Sequence, residues 1–136
     1  MRSRSVLALA AGLLLIVCVA FSQDFPMRSG TLNAAAMGTV HAKVDKNGNL
    51  AITLDAKHLA PADRLAPAHS NYVVWIQATD KQPEEVGVLS VDPTKETATI
   101  STTVPYHQFD IFVTAEDNPK PTSPSSDEAL RGVVQK

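Results

Sequence analysis

From Thr39 onward the chain alternates. Val40, Ala42 and Val44 are apolar, and His41, Lys43 and Asp45 between them are polar. After Lys46-Asn47-Gly48-Asn49 the alternation resumes, with Leu50, Ile52, Leu54 and Ala56 set against Ala51, Thr53, Asp55 and Lys57. Successive side chains of a strand point to opposite faces, so a period of two predicts strands with one face buried. Two such runs around an Asn-Gly pair predict a hairpin over 39–45 and 50–56, because Asn and Gly both tolerate positive φ.

Residues 58–71 form a long connection that Pro61 and Pro67 keep out of any regular ladder. A short helical turn over 61–65 fits there, and the segment reads as a crossover. In 71–80 both faces are apolar, Tyr72, Val74 and Ile76 on one and Val73 and Trp75 on the other, which predicts an interior strand. Further strands are predicted at 86–92, where Gly87 suits a bulge or close packing, at 98–104 and at 106–116. A short closing strand is expected at 131–134. Residues 23–38 are weakly patterned and read as a lead-in segment or linker, part of it a candidate first strand.

The result is six or seven strands with turn signals about every 8–12 residues and no amphipathic helix of any length. The fold class is all-β: an antiparallel β-sandwich of immunoglobulin-like type, or a partly open barrel, formed as a single domain over 39–136. The last strong strand runs into the polar, proline-rich segment 117–128, with the apolar Leu130, Val133 and Val134 beyond it. That cluster predicts docking, with Thr114 and Glu116 tying the segment along the sandwich edge. Prolines there would blunt an exposed edge by removing N–H donors. A disordered tail is the alternative its composition allows.

The first 22 residues add a location. Arg2 and Arg4 precede an apolar run from Val6 to Phe21, and Ala20 and Ser22 occupy the −3 and −1 places of a cleavage site. This is the pattern of a secretory signal peptide over 1–22, with Gln23 as the mature N-terminus and a periplasmic or extracellular product. A retained anchor is the rival, but the run falls short of the ~20 residues a hydrocarbon core asks for. Cys18 is the single cysteine, and Val17 and Ile16 before it argue against lipidation. Cleavage therefore leaves no disulfide, zinc-thiolate site or thiol nucleophile, and the domain must stand on its apolar core. The formal charge of −2 becomes more negative once Arg2 and Arg4 are removed. Nucleic acid and anionic membrane surfaces want clustered Lys and Arg, so neither is expected as a partner; membrane contact is expected only if the leader stays as an anchor.

Candidate chemistry is sparse. The histidines are His41, His58, His69 and His107, with no metal-ligand spacing between them. A site built in space from His58, His69 and His107 needs a geometry that spacing does not supply, and solvated histidines are the plainer reading. Ser90 and Ser101 lie in ordinary strand patterns rather than in a nucleophile elbow. Glu84-Glu85 reads as a solvated pair in a turn. Asp45, Asn47 and Asn49 look like the start of a calcium loop, but the position of the closing Glu falls on Ala56. Trp75 invites a recognition reading; in mid-strand among Val and Ile it reads as core. No catalytic, cofactor-binding or metal residue is assigned, and no cofactor is expected.

YVVWIQATDKQPEEVGVLSVD and FDIFVTAEDNPKPTSPSSDEALRG together resemble the C-terminal extracytoplasmic domain of bacterial anti-sigma-K factors. Tyr72 and Trp75 match that family's Tyr-x-x-Trp strand and Gly87 its Gly-bearing strand. Phe109, Val113, Thr114 and Glu116 match its Phe-led strand, and Pro121 and Thr122 the segment after it. The resemblance spans 72–132 and implies an antiparallel β-sandwich. Two departures accompany it. The family often has a double glycine after the Glu, where this chain has Asp117-Asn118-Pro119, and only MRSRS precedes the apolar run, so the sigma-binding part is not expected here. The expected function is an exported, non-enzymatic binding or structural module of the bacterial cell envelope, whose partner is an envelope protein or ligand. The alternatives are a small-ligand or metal-binding periplasmic protein and, further off, a hydrolase using His58 or His107.

Overall fold

A computed structural model describes residues 22–32 and 35–136; the leader expected at 1–22 lies, apart from Ser22, outside the described residues. The strands are β1 (Gln23–Ser29), β2 (Met37–Val44), β3 (Leu50–Lys57), β4 (Asn71–Ala78), β5 (Glu84–Leu89), β6 (Ala98–Val104), β7 (Gln108–Glu116) and β8 (Glu128–Gln135). A single turn of 3₁₀ helix, Ala62–Arg64, interrupts the long connection between β3 and β4, where the prolines bracket a short helical turn. All eight strands form one antiparallel sheet in the order β5-β4-β7-β8-β1-β2-β3-β6. Of the two architectures the pattern allows, the chain adopts the partly open barrel.

The strand count exceeds the expected six or seven because both ends of the chain contribute. The lead-in segment 23–38 holds β1 and the start of β2, and β1 lies between β2 and β8. Its alternation is hard to read because Pro26 and Arg28 face outward while only Met27 is fully buried and Phe25 packs partly on the core. The closing strand is longer than 131–134, and it is interior. Ala129, Leu130 and Val134 are buried, whereas Val133, expected inside, is 49 % exposed. The 117–128 segment is therefore the connection of a β7–β8 hairpin and does not run along an edge; the sheet's edges are β5 and β6.

The β2–β3 hairpin forms where the Asn-Gly pair predicts, with a different turn. Gly48 has φ +82 but Asn47 is not in the left-handed region. Gly48 N–H donates to the Asp45 carbonyl (3.1 Å) and Asp45 N–H to that of Asn49 (2.8 Å), a three-residue loop closed by a glycine bulge. The Asp45 carboxylate accepts from the N–H groups of Asn47 (2.9 Å) and Asn49 (3.0 Å). The residues that look like a calcium loop are thus the turn's own hydrogen-bonding set.

Alternation sends Val40, Leu50, Ile52, Leu54, Tyr72, Val74, Ile76, Ile111, Val113 and Leu130 into one continuous core. The barrel's ends, β5 and β6, approach without a hydrogen-bond ladder beyond the isolated Asp92–Thr97 bridge. Side chains close the seam. Ile100 lies so near Gly87 that a Cβ there would stand 2.6 Å from Ile100 Cδ1, and Tyr106 O–H donates to Glu84 Oε1 at 3.1 Å. The β4–β5 register shifts beside the same glycine, between Val74 and Trp75, so Gly87 serves both a bulge and a close approach.

Because β8 is interior, truncation after Asn118 should do more than trim a tail. Leu130 and Val134 each contribute roughly 1.5–3 kcal/mol by burial, and β7 and β1 would lose their shared partner. That loss is comparable to the ~5–15 kcal/mol that holds a domain together. The truncated chain should show no cooperative thermal transition by circular dichroism, whereas a dispensable tail would leave the melting curve unchanged.

Candidate functional site

The outward face of β4 and β7 is unusual for a single-layer barrel. Alternation that turns Tyr72, Val74 and Ile76 inward turns Val73 and Trp75 outward, and on β7 it does the same to Phe112, Thr114 and Glu116. An outward face should be wet. Instead Val73, Trp75 and Phe112 form a second buried cluster, with Trp75 only 1 % exposed. The sequence allows Trp75 to be core or ligand-facing; it is core, but not of the barrel interior.

A hydrogen-bonded relay binds this face. Trp75 Nε1–H donates to Thr114 Oγ1 at 2.8 Å, and Thr114 O–H donates to Glu116 Oε2 at 2.6 Å. Ser125 N–H donates to the same carboxylate oxygen at 2.8 Å, while Ser125 Oγ donates to the Ala115 carbonyl at 3.1 Å. Thr114 and Glu116 are the buried polar residues here, and a buried carboxylate is tolerable only with such donors. The Thr114 hydroxyl beside a carboxylate could suggest a nucleophile, but it is 1 % exposed and its oxygen already accepts from the indole. It acts as a tie. Arg131 flanks the face: its guanidinium lies 4.3 Å from the Phe112 centroid. Glu128 grips it in a fork, at 2.6 and 3.0 Å, and Asp110 accepts from it at 3.1 Å. Hydrogen bonding to Glu128 raises the Arg131 pKa further, so the cation is permanent.

The histidines do not assemble. His41 spans three strands, with Nδ1 2.6 Å from Asp24 Oδ1 on β1 and Nε2 2.9 Å from Asp55 Oδ2 on β3; Thr99 on β6 donates to Asp55 at 2.7 Å. His69 contacts Asp117 and Asp127 at 3.2 and 3.0 Å. His107 Nε2 is 2.8 Å from the Gly48 carbonyl, tying the β6–β7 connection to the β2–β3 turn, and His58 follows β3 with φ 56. Among the described residues no group of three or more His, Cys, Asp or Glu is arranged to hold a metal. Ser101 meets Thr53 across the β3–β6 pair at 2.9 Å, and Tyr72 O–H donates to the Ala60 carbonyl at 2.5 Å. Burial, followed by the charge of Glu96, pushes the Tyr72 phenol up to about 12, so it stays neutral. The pairing of His69 with acids 48 and 58 residues away has no local signal in the sequence.

The chain matches no family model, no curated protein and no solved structure. None of these comparisons identifies the anti-sigma-K outer domain expected over 72–132; the residues on which that expectation rests lie on β4, β5, β7 and the loop after β7.

Two outcomes follow from these ties. Thr114→Val keeps the shape but strands the indole N–H and removes a donor from a buried carboxylate, so it should cost about 2–3 kcal/mol in denaturant unfolding; a loss within error would mean the relay contributes nothing. His41 has its pKa raised, chiefly by the hydrogen bond to Asp24, against some desolvation and with help from the charges of Asp24 and Asp55. A raised folded pKa gives stability that is complete below the unfolded value of 6.5 and disappears as pH rises through the folded value. The ring and Asp55 are each 40 % exposed, so screening keeps the gain below about 1 kcal/mol. The stability advantage of the native chain over His41→Gln should therefore shrink as pH is raised, and high salt should flatten the effect. An advantage independent of pH and salt would contradict it.

Proposed function

We propose that this chain is an exported binding or structural module of the bacterial cell envelope and not an enzyme. The observation that carries the reading is the use made of its polar groups. The side chains that acid–base or nucleophilic chemistry would need are engaged in holding strands and loops together: His41 between Asp24 and Asp55, His69 between Asp117 and Asp127, Thr114 between Trp75 and Glu116. Function is argued from sites and not from fold, and these sites build rigidity. A rigid barrel presents its loops as a fixed surface, which suits recognition. The leader pattern at 1–22 and the likeness of 72–132 to the anti-sigma-K outer domain support an envelope location.

Expressed in a bacterium with its leader, the full chain should appear as a soluble exported product beginning at Gln23 or within a few residues of it. N-terminal sequencing that finds Met1 intact in a membrane pellet would overturn export. In-cell crosslinking of the exported form should return the same envelope component in repeated trials, and a consistently empty result would remove the binding reading.

A further inference from the structure

β1 changes partner along its length. Residues 23–27 pair with β2 and residues 27–29 with β8, so Met27 stands in both ladders, opposite Gly38 on one side and Gly132 on the other. Its side chain lies in the space those glycines leave. A Cβ on Gly132 would stand 2.9 Å from Met27 Cγ, and one on Gly38 would stand 3.2 Å from Met27 Cβ and 3.4 Å from its Sδ. Met27 is also the one fully buried residue of β1, at 4 % exposed, with Phe25 packed partly on the core. The strand's ion pair, Asp24 with His41, is exposed and weak. Met37, next to Gly38 on β2, takes the outward position of the alternation and is 59 % exposed. Both methionines border one cleft, together with Pro26 and Lys57.

We propose that Met27 is an oxidation site whose conversion to the sulfoxide by a peroxide releases β1 from the barrel, and that Met37 is oxidised before it without structural consequence. The thioether sulfur attacks one peroxide oxygen, the O–O bond breaks as the S–O bond forms, and the departing hydroxide takes the proton of the transferred hydroxyl to leave as water. The sulfur is oxidised by two electrons and the peroxide reduced by two. Exposed Met37 meets the oxidant directly. Met27 meets it when β1 opens, and a strand with one fully buried side chain and two short ladders is of the kind that opens locally. Oxidation then prevents reclosure. A sulfoxide is polar and bulkier than a thioether, and the slot is walled by the two glycine backbones and by Leu130, whose Cδ1 would stand 3.3 Å from a Cβ on Gly38. Because β1 lies between β8 and β2, its release parts the two halves of the barrel and leaves both neighbours with a free edge. This holds whether or not the chain is exported and whatever it binds.

The purified chain would be treated with dilute hydrogen peroxide and its melting followed by circular dichroism. Peptide mass mapping would place each oxygen and so separate Met27 and Met37 from Met1 and Cys18. Met37 should take up oxygen first, with the melting curve unchanged, and Met27 several-fold more slowly. As Met27 sulfoxide accumulates, a fraction of lower melting temperature should grow with it. Met37→Leu should show the same loss, and Met27→Leu should keep its transition under peroxide. Met27 free of oxygen in the folded chain after Met37 has reacted completely would overturn the proposal, as would Met27 sulfoxide in a chain that melts as before. If Met27→Leu does not fold, Met37→Leu decides alone: a lower-melting fraction that tracks Met27 sulfoxide supports the site, and an unchanged midpoint overturns it.

Discussion

Trp75 can be buried on the outer face of the barrel only if its indole N–H finds an acceptor, and Thr114 is that acceptor. The rest of the region follows. A threonine oxygen that accepts from an indole leaves its own proton to place, and Glu116 two residues on takes it. A carboxylate so placed is buried and needs more than one donor. Ser125 supplies the next through its backbone N–H, so the β7–β8 loop must return to this position. Ala115 N–H then donates to the Asp127 carbonyl at 2.9 Å, and β8 begins at Glu128 in register with β7. One aromatic side chain facing away from the core thus determines where the last strand enters the sheet.

That last strand closes the barrel, because β8 is what connects the β5-β4-β7 half to the β1-β2-β3-β6 half. The opposite seam is held differently. Between β5 and β6 the chain relies on Ile100 against Gly87 and on Tyr106 with Glu84, and not on a ladder. Polar ties across neighbouring strands stiffen the second half: Asp24, His41, Asp55 and Thr99 form a line over β1, β2, β3 and β6. Such exposed ties are individually small. Their value lies in register, since a slip of one residue would turn His41 into the core and Val40 out of it.

Where one face was buried and the other wet, the sequence was readable. Alternation located β2, β3 and β6, and apolar residues on both faces of 71–80 correctly marked β4 as interior, flanked by β5 and β7. The expected tie of the following segment to Glu116 is realised through Ser125, with Thr114 bonded behind it, but in a hairpin loop and not along an edge. What failed to show was whatever depended on distant partners. β1 has too few buried positions to alternate visibly, and its place in the sheet is set by β2 and β8. Val133 looks like core beside Val134 but takes the outward position that strand geometry requires of one of them. His69 gave no sign of its two acids because contacts that join separate connections leave no periodic trace.

The prolines of 117–128 take on a different meaning in this setting. The edge-protection reading does not apply, since β7 and β8 are both interior. A chain laid beside a buried aromatic face must account for every backbone N–H it brings there, and a regular ladder is not available to it. Proline brings none. Pro121 and Pro124, both half-buried, flank this stretch without a donor to satisfy, and the N–H groups of Ser125 and Asp127 have Glu116 and the Ser125 hydroxyl. Proline also reduces the conformational freedom the unfolded segment would lose on docking. A composition that resembles a disordered tail is therefore also one that can lie against an apolar face without leaving donors unpaired, and the apolar residues of β8 beyond it supply the burial that keeps it in place.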